Sequence, residues 1–196
     1  MKSICVYCGS ADDIHPDFRL AGRQMGRTLA ESGILLIYGG GKTGIMGAVA
    51  DGALEAGGKV TGIMVESMNT PALAHMGLTR LEVTPTIHER KARMYFLAEG
   101  YIALPGGFGT FDELFETLTW AQIGEHEKPI GLLNVRNYFE PLMAMVLHAE
   151  KEGFIFPEHI KMLCLAETPQ ALLACMDKHQ HPADAVKRWM RQDKPG

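Results

Sequence analysis

The chain has 196 residues, of which 46% are hydrophobic and 21% are charged; these values fit one well-filled globular domain and exclude a disordered protein. The formal net charge of −4 argues against a broad nucleic-acid-binding surface, because such a surface requires a basic face. No stretch is apolar for long enough to span a bilayer, so we expect no membrane partner.

Strands and helices are predicted to alternate along the chain. Continuous apolar runs, typical of strands covered on both faces, predict strands at 3–8, 34–38, 59–65, 79–83, 101–104, 129–133 and 162–165. Helices are predicted at 16–31, 44–56, from 86, at 110–123 and 138–152, near 157 and from 168. This order predicts an α/β fold, a single-domain, doubly wound, Rossmann-like parallel sheet with helices on both faces. We expect the domain to span residues 1–180 and residues 181–196 to form a flexible tail.

The cysteines and the first residues of the chain indicate the cellular compartment. Met1-Lys2-Ser3 leads directly into a strand without a signal-peptide core. Cys5-x-x-Cys8 has no second pair at zinc spacing, so buried reduced thiols are the better interpretation than a metal site or a disulfide framework. We therefore expect a cytoplasmic protein.

Three predicted strands end in unusual sequence: Gly9-Ser10, Gly39-Gly40-Gly41 and Pro105-Gly106-Gly107. In doubly wound sheets ligands bind outside the carboxyl ends of the strands, so these segments should meet at one rim. The run from Gly106 to Thr110 joins an apolar strand to a helix, where missing side chains and free N–H groups favour a phosphate. A single glycine there would more often make only a turn, but the whole run favours phosphate binding.

The loop Gly39-Gly40-Gly41-Lys42-Thr43-Gly44 satisfies G-x-G-x-x-G after a strand. A dinucleotide-binding oxidoreductase is therefore a competing hypothesis. Its position after the second strand weakens that hypothesis, because the fingerprint usually follows the first. A Walker A loop is excluded, since its opening glycine would fall at Leu36.

Two carboxylates follow the phosphate-binding run. Asp112 and Glu113 are predicted in the first helical turn, and the capping box Thr110-x-x-Glu113 would explain Glu113 fully. A bound phosphate would repel these acids, however, and carboxylates beside an anion site usually activate water or stabilise a developing cation. Both interpretations remain open.

Opposite charge comes from the cluster His88-Glu89-Arg90-Lys91, on a helix opened by the capping box Thr86-x-x-Glu89. Such a cluster is usually a solvated helix face. Arg90 and Lys91 point about 100° apart, so both need not face the site. Arg90, with its planar fork, is the better phosphate or leaving-group ligand.

These segments together resemble the LONELY GUY family of cytokinin riboside monophosphate phosphoribohydrolases, which is also labelled lysine decarboxylase. The resemblance covers the chain to about Leu173. The segments that carry it are Cys8-Gly9-Ser10, Tyr38-Gly39-Gly40-Gly41, Gly44-Ile45-Met46-Gly47, His88-Glu89-Arg90-Lys91, Pro105 to Glu113, Thr119-Trp120-Ala121-Gln122 and Lys128 to Asn134.

The resemblance implies a hydrolase that cleaves the N-glycosidic bond of N6-modified adenosine 5′-monophosphates, releasing the free base and ribose 5-phosphate. It implies catalytic roles for Arg90 and Glu113, a homodimer, and no metal or organic cofactor. It also implies nucleotide contacts from Arg90, Lys91, Gly106, Gly107, Phe108, Gly109, Thr110, Phe111, Asp112 and Thr119. The rim adds Ser10 and Gly40 to the predicted substrate-binding residues.

The sequence departs from the family after the third strand. Many members carry a proline near Val65 and an acidic residue near Ala72; here Glu66 is the nearby acid. This departure leaves base selectivity open, and plain AMP is a second possible substrate. A non-catalytic nucleotide or molybdenum-cofactor carrier is the alternative function. The lysine decarboxylase label gains no support, because neither Lys42 nor Lys91 lies in a context typical of a Schiff-base lysine.

Overall fold

The computed structural model describes residues 1–182 and contains one seven-stranded sheet. The strands are β1 (Ser3–Tyr7), β2 (Leu35–Tyr38), β3 (Val60–Val65), β4 (Arg80–Thr84), β5 (Gly100–Ala103), β6 (Ile130–Leu133) and β7 (Leu163–Ala166). Their order is β4-β3-β2-β1-β5-β6-β7, and every neighbouring pair is parallel. The prediction of a doubly wound parallel sheet is confirmed.

Residues 1–182 contain seven α-helices, of which six lie between strands and the seventh follows β7. They are α1 (Pro16–Glu31), α2 (Gly44–Glu55), α3 (Ile87–Leu97), α4 (Phe108–Ile123), α5 (Glu140–Lys151), α6 (Pro157–Ile160) and α7 (Pro169–Asp177). One buried apolar cluster joins α1, α2 and α7 to the sheet, and a second joins α3, α4 and α5 to its other face. The helices therefore cover both faces, as predicted, which explains why the central strands are apolar throughout.

Two helix starts distinguish a correct capping prediction from a wrong one. Helix α3 begins as predicted, because the Thr86 side chain accepts a hydrogen bond from the backbone N–H of Glu89. Helix α4 begins earlier than predicted, at Phe108, with Gly107 as its N-cap and no side-chain cap. The predicted capping box from Thr110 to Glu113 is therefore wrong, since both residues lie inside the helix and Glu113 lies beyond its first turn.

Residues 178–182 follow α7 without regular structure. Most of the predicted flexible tail, residues 183–196, lies outside the described residues. Among the helices of residues 1–182, none is long and apolar enough to cross a membrane.

Candidate active site

The sheet has its topological switch point between β1 and β5, where the strand order reverses. Ligands of doubly wound folds bind at this point, outside the carboxyl ends of the strands. A cavity of about 550 Å³ opens there. Its wall includes residues from all three glycine-rich strand ends, namely Gly9, Ser10, Gly39, Gly41, Pro105, Gly106 and Gly107. The predicted meeting of these segments at one rim is confirmed.

A buried ion pair lies in the wall of this cavity. Nη1 of Arg90 donates a hydrogen bond of 2.9 Å to Oε1 of Glu113, and the two side chains are only 10% and 8% exposed. Nε of Arg90 donates to the carbonyl oxygen of Ile63, also at 2.9 Å. A Cβ atom at Gly39 would lie 2.4 Å from Nη2 of Arg90, so the absence of a side chain at Gly39 makes room for the guanidinium. Arg90 and Glu113, which are 23 residues apart in the sequence, thus form one buried ion pair.

The surroundings of Glu113 control its protonation. Burial raises the pKa of the Glu113 carboxyl above its ordinary value of 4.5, and the charges of Arg90 and Lys91 oppose this rise while that of Asp112 adds to it. Behind the carboxylate, the hydroxyl of Thr117 donates to the backbone carbonyl of Glu113 at 2.8 Å. Glu113 is therefore a buried carboxylate of raised pKa on a rigid helix, a combination common among catalytic acids and bases.

The beginning of α4 has unused hydrogen-bond donors. Within residues 1–182 the backbone N–H groups of Phe108, Gly109 and Thr110 donate to no acceptor. Free N–H groups at a helix N-terminus, with the positive end of the helix dipole, form an anion-binding arrangement. We call residues 106–110 the α4 cradle. All five line the cavity.

The beginning of α2 has its donors already used. The N–H groups of Ile45 and Met46 both donate to the carbonyl of Gly9, at 3.0 and 3.2 Å. The N–H of Gly44 donates to the side chain of Asp12, also at 3.0 Å. The N–H groups at the start of the helix that follows the Gly39 loop are therefore already occupied, unlike those of the α4 cradle. This removes the main physical support for a dinucleotide site there.

The predicted site residues separate into two groups. Those in the cavity wall are Ser10, Arg90, Gly106, Gly107, Phe108, Gly109, Thr110 and Glu113. Lys91 lies outside it, held by Asp112 at 2.9 Å and Glu116 at 3.1 Å. Thr119 is exposed on α4 and donates to the carbonyl of Phe115.

Two further predicted residues serve packing in this chain. Phe111 packs against the buried cluster on the α4 side of the sheet. Gly40 has a φ of +79°, and a Cβ atom there would contact Met64 and Leu81, so it lies against β3 and β4 while Gly39 and Gly41 face the cavity.

Sequence reasoning missed the apolar part of the wall. Side chains from β3, the loop that follows it, and the starts of α2 and α3 supply it: Met46, Met64, Val65, Met68, Leu73 and Ile87. Glu66 is exposed and lies outside this wall. Apolar residues carry no signal that separates a ligand wall from a core, so only the fold reveals them. Among residues 1–182, no group of three His, Cys, Asp or Glu side chains is arranged to hold a metal ion.

Comparison with known proteins places this geometry in a family. Residues 46–176 match the family model described as possible lysine decarboxylase. The chain is 45% identical over 157 residues to a cytokinin riboside 5′-monophosphate phosphoribohydrolase of Rhodococcoides fascians, which covers 80% of this chain and 79% of that protein. It is 38% identical to an enzyme of the same name from Oryza sativa subsp. japonica, over 91% of this chain and 74% of that protein.

A solved structure shows the same fold at lower identity. The molybdenum cofactor binding protein of Rippkaea orientalis superposes with a TM-score of 0.67 at 22% identity, covering 90% of this chain and 96% of that chain. At this identity the likeness concerns the fold alone. The family match and the high identity to the enzymes decide the assignment: this chain belongs to the LONELY GUY family, whose model is described as possible lysine decarboxylase.

Proposed function

We propose that this protein hydrolyses the N-glycosidic bond of adenosine 5′-monophosphates that carry an N6 substituent, releasing the free base and ribose 5-phosphate. The observation that carries this proposal is the buried Arg90–Glu113 pair beside an anion-binding helix N-terminus. The names of the relatives from Rhodococcoides fascians and rice support it, because they describe phosphoribohydrolases of cytokinin riboside monophosphates.

The 5′-phosphate would bind the α4 cradle. The N–H groups of Phe108, Gly109 and Thr110 would donate to its oxygens, and the helix dipole would favour its charge. Glu113 follows Phe108 by five residues, or about 7.5 Å along the helix axis. This separation leaves room for a ribose between the phosphate and the carboxylate.

Cleavage would proceed by loss of the base from C1′ of the ribose. As the C1′–N9 bond breaks, its electron pair leaves with the base and C1′ takes on positive charge. The carboxylate of Glu113 would stabilise that charge and accept a proton from the water that attacks C1′. The protonated Glu113, or solvent, would then return a proton to the departing base, which is released as the free base. Arg90 would keep Glu113 ionised and aimed, and its remaining N–H groups would stabilise negative charge on the leaving base or the phosphate.

The apolar wall favours a substrate whose base carries an apolar substituent. Met64, Met68 and Leu73 would cover an apolar N6 group, which is released from water when it binds. Val65, at a position where many family members have proline, belongs to this wall, whereas Ala72 is exposed and outside it. Plain AMP would bind the same cradle without this contribution.

Within residues 1–182, no lysine lines the cavity. Lys42 instead donates to the carbonyl of Pro71. A pyridoxal-phosphate decarboxylase needs a Schiff-base lysine at its site, so these residues do not support lysine decarboxylation.

A carrier of nucleotides or of molybdenum cofactor is the weaker alternative. The fold is shared with a molybdenum cofactor binding protein, but a carrier has no need for a buried, oriented carboxylate beside the phosphate site. Chromatography of mixtures with isopentenyladenosine monophosphate and with AMP separates the two functions. Base release above a Glu113→Ala control supports the enzyme, and tight nucleotide binding without release supports the carrier.

We also propose that the chain forms a homodimer through the outer side of α3 and α4. Phe96 of α3 and Phe108 and Phe115 of α4 are 76%, 93% and 38% exposed. Paired burial of these aromatic rings would stabilise a dimer. Phe115→Lys should lower the mass found by light scattering to that of a monomer.

The four cysteines are free in the structure. Together with the sequence, this supports the proposal of a cytoplasmic location, because reduced thiols are typical of that compartment.

A further inference from the structure

A hydrogen bond connects the α4 cradle to Tyr138, which lies in the loop after β6 and also lines the cavity. The hydroxyl of Tyr138 donates to the carbonyl oxygen of Gly106, the first residue of the cradle. A trans peptide group carries its carbonyl and its amide on opposite sides. The bond from Tyr138 therefore holds the N–H of Gly107 pointing away from the tyrosine.

The cradle is closely confined on its other sides. A Cβ atom at Gly106 would lie 2.1 Å from Oγ1 of Thr110 and 2.8 Å from the backbone nitrogen of Gly9. The N–H of Gly9 in turn donates to the carbonyl of Pro105 at 3.0 Å. The peptide between Gly106 and Gly107 is thus the part of the cradle whose rotation the tyrosine hydroxyl controls.

The loop that delivers Tyr138 has an unfavourable backbone. Arg136 and Asn137 adopt φ values of 53° and 59°, in the left-handed region that favours glycine. Such residues persist only where the surrounding structure fixes them. Here the Asn134 side chain accepts from the N–H of Phe139 at 2.9 Å, which closes the loop immediately around the strained pair.

Contacts with α1 hold the same loop from outside. Nη1 of Arg136 lies 2.9 Å from Oδ2 of Asp17. The rings of Phe18 and Tyr138 meet edge to face with centroids 5.9 Å apart. Three contacts and two strained residues therefore fix one tyrosine hydroxyl against one carbonyl of the cradle.

We propose that Tyr138 is a positioning residue that holds the α4 cradle in its anion-binding shape, so that a phosphate monoester meets N–H groups already aligned. Preorganised donors bind an anion without a further cost of ordering. This inference rests on the proposed function only for the identity of the ligand. The effect should appear with any phosphate monoester and disappear with a substrate that lacks the phosphate.

The test compares Tyr138→Phe with the wild-type protein. We expect the affinity for ribose 5-phosphate and for inorganic phosphate, measured by calorimetry, to fall about tenfold, in line with the loss of one hydrogen bond that orders the site. KM for the nucleotide should rise by about the same factor with kcat changed less than about twofold, since phosphate binding is shared by ground state and transition state. Turnover of the corresponding riboside should not change.

Tyr95→Phe is the matched control. Its hydroxyl also donates to a backbone carbonyl, that of Glu125 at 3.1 Å, but outside the cavity. We expect Tyr95→Phe to leave phosphate affinity unchanged. Arg136→Ala is a second variant, which frees the loop from Asp17 while keeping the tyrosine hydroxyl, and it should weaken phosphate binding by a smaller factor.

Unchanged phosphate affinity in Tyr138→Phe overturns the proposal, as does an equal loss in the Tyr95→Phe control. A fall in kcat with unaltered phosphate affinity also overturns it. If no nucleotide releases base while Tyr138→Phe still weakens ribose 5-phosphate binding, the positioning role stands and the proposed hydrolase function fails.

Discussion

The guanidinium of Arg90 donates to the carboxylate of Glu113 at 2.9 Å, and both side chains are about nine-tenths buried. Burial disfavours the charged form of Glu113, and the neighbouring guanidinium favours it. The balance leaves the pKa of Glu113 raised, so the carboxylate is more basic than one in water. A stronger base accepts a proton from attacking water more readily, which connects this pair directly to hydrolysis.

The pH dependence of hydrolysis should report Glu113. Because the carboxylate must be ionised to act, kcat/KM should fall on acidification through a pKa above 4.5. The charge of Asp112 raises that pKa and the charge of Lys91 lowers it. Asp112→Asn should therefore move the acid limb to lower pH, and Lys91→Met should move it to higher pH. Shifts of the same sign in both variants would contradict this assignment.

The stability of an Arg90→Met variant should depend on pH with a defined sign. Removing one partner of a buried ion pair costs about 3 kcal/mol, because the other charge remains buried without compensation. Glu113 then has a still higher pKa in the folded protein than in the unfolded chain, so its stabilising contribution is present at low pH and is lost as pH rises. Urea denaturation at pH 5 and pH 8 should show the larger loss at pH 8; an equal loss at both would indicate that Glu113 does not titrate.

Gly39 should be required for the position of Arg90. In Gly39→Ala the added Cβ would meet Nη2 of Arg90 at 2.4 Å, so the guanidinium must move away from Glu113. We expect kcat to fall at least tenfold and the free energy of unfolding to fall by up to about 3 kcal/mol, because Glu113 loses its buried partner. Gly77→Ala is the control, because its Cβ would meet only the ring of His75, at 3.2 Å, and Gly77 does not line the cavity. Full activity in Gly39→Ala would contradict the account of this contact.

The apolar wall should set the preference for a modified base. Leu73→Asp places a charge where an isopentenyl group would lie, and the ratio of kcat/KM for isopentenyladenosine monophosphate to that for AMP should fall about tenfold. Met76→Asp changes a residue that is 79% exposed and outside the cavity, and it should leave the ratio unchanged. An unchanged ratio in Leu73→Asp would place the substituent elsewhere.

The sequence predicted the strands, the helices and the rim because each depends on local pattern. Apolar runs indicate strands that are covered on both faces. Glycine after a strand indicates that the backbone comes close to a neighbouring segment or to a ligand. It failed at the start of α4 because the cap is Gly107, which has no side-chain oxygen to recognise. The T-x-x-E spacing at Thr110 therefore gave a false helix start.

Contacts between segments that are distant in the chain could not be predicted from the sequence. Asp12 caps α2 across 32 residues, so nothing local to the Gly39 loop could indicate that its N–H groups are used. Helical geometry separated Arg90 from Lys91 but could not show which one turns inward. The structure decides this, since Arg90 reaches Glu113 while Lys91 is held by Asp112 and Glu116.

We propose that Glu113 takes part in the reaction and does not only stabilise its helix. Glu116 lies one turn further along α4 and pairs with Lys91, so Glu116→Gln is the matched control for Glu113→Gln. The decisive measurement is the rate of base release from isopentenyladenosine monophosphate at saturating substrate. We predict that Glu113→Gln lowers kcat at least about a hundredfold and that Glu116→Gln lowers it less than about threefold. Equal rates for Glu113→Gln and the wild-type protein would show that Glu113 takes no part in base release.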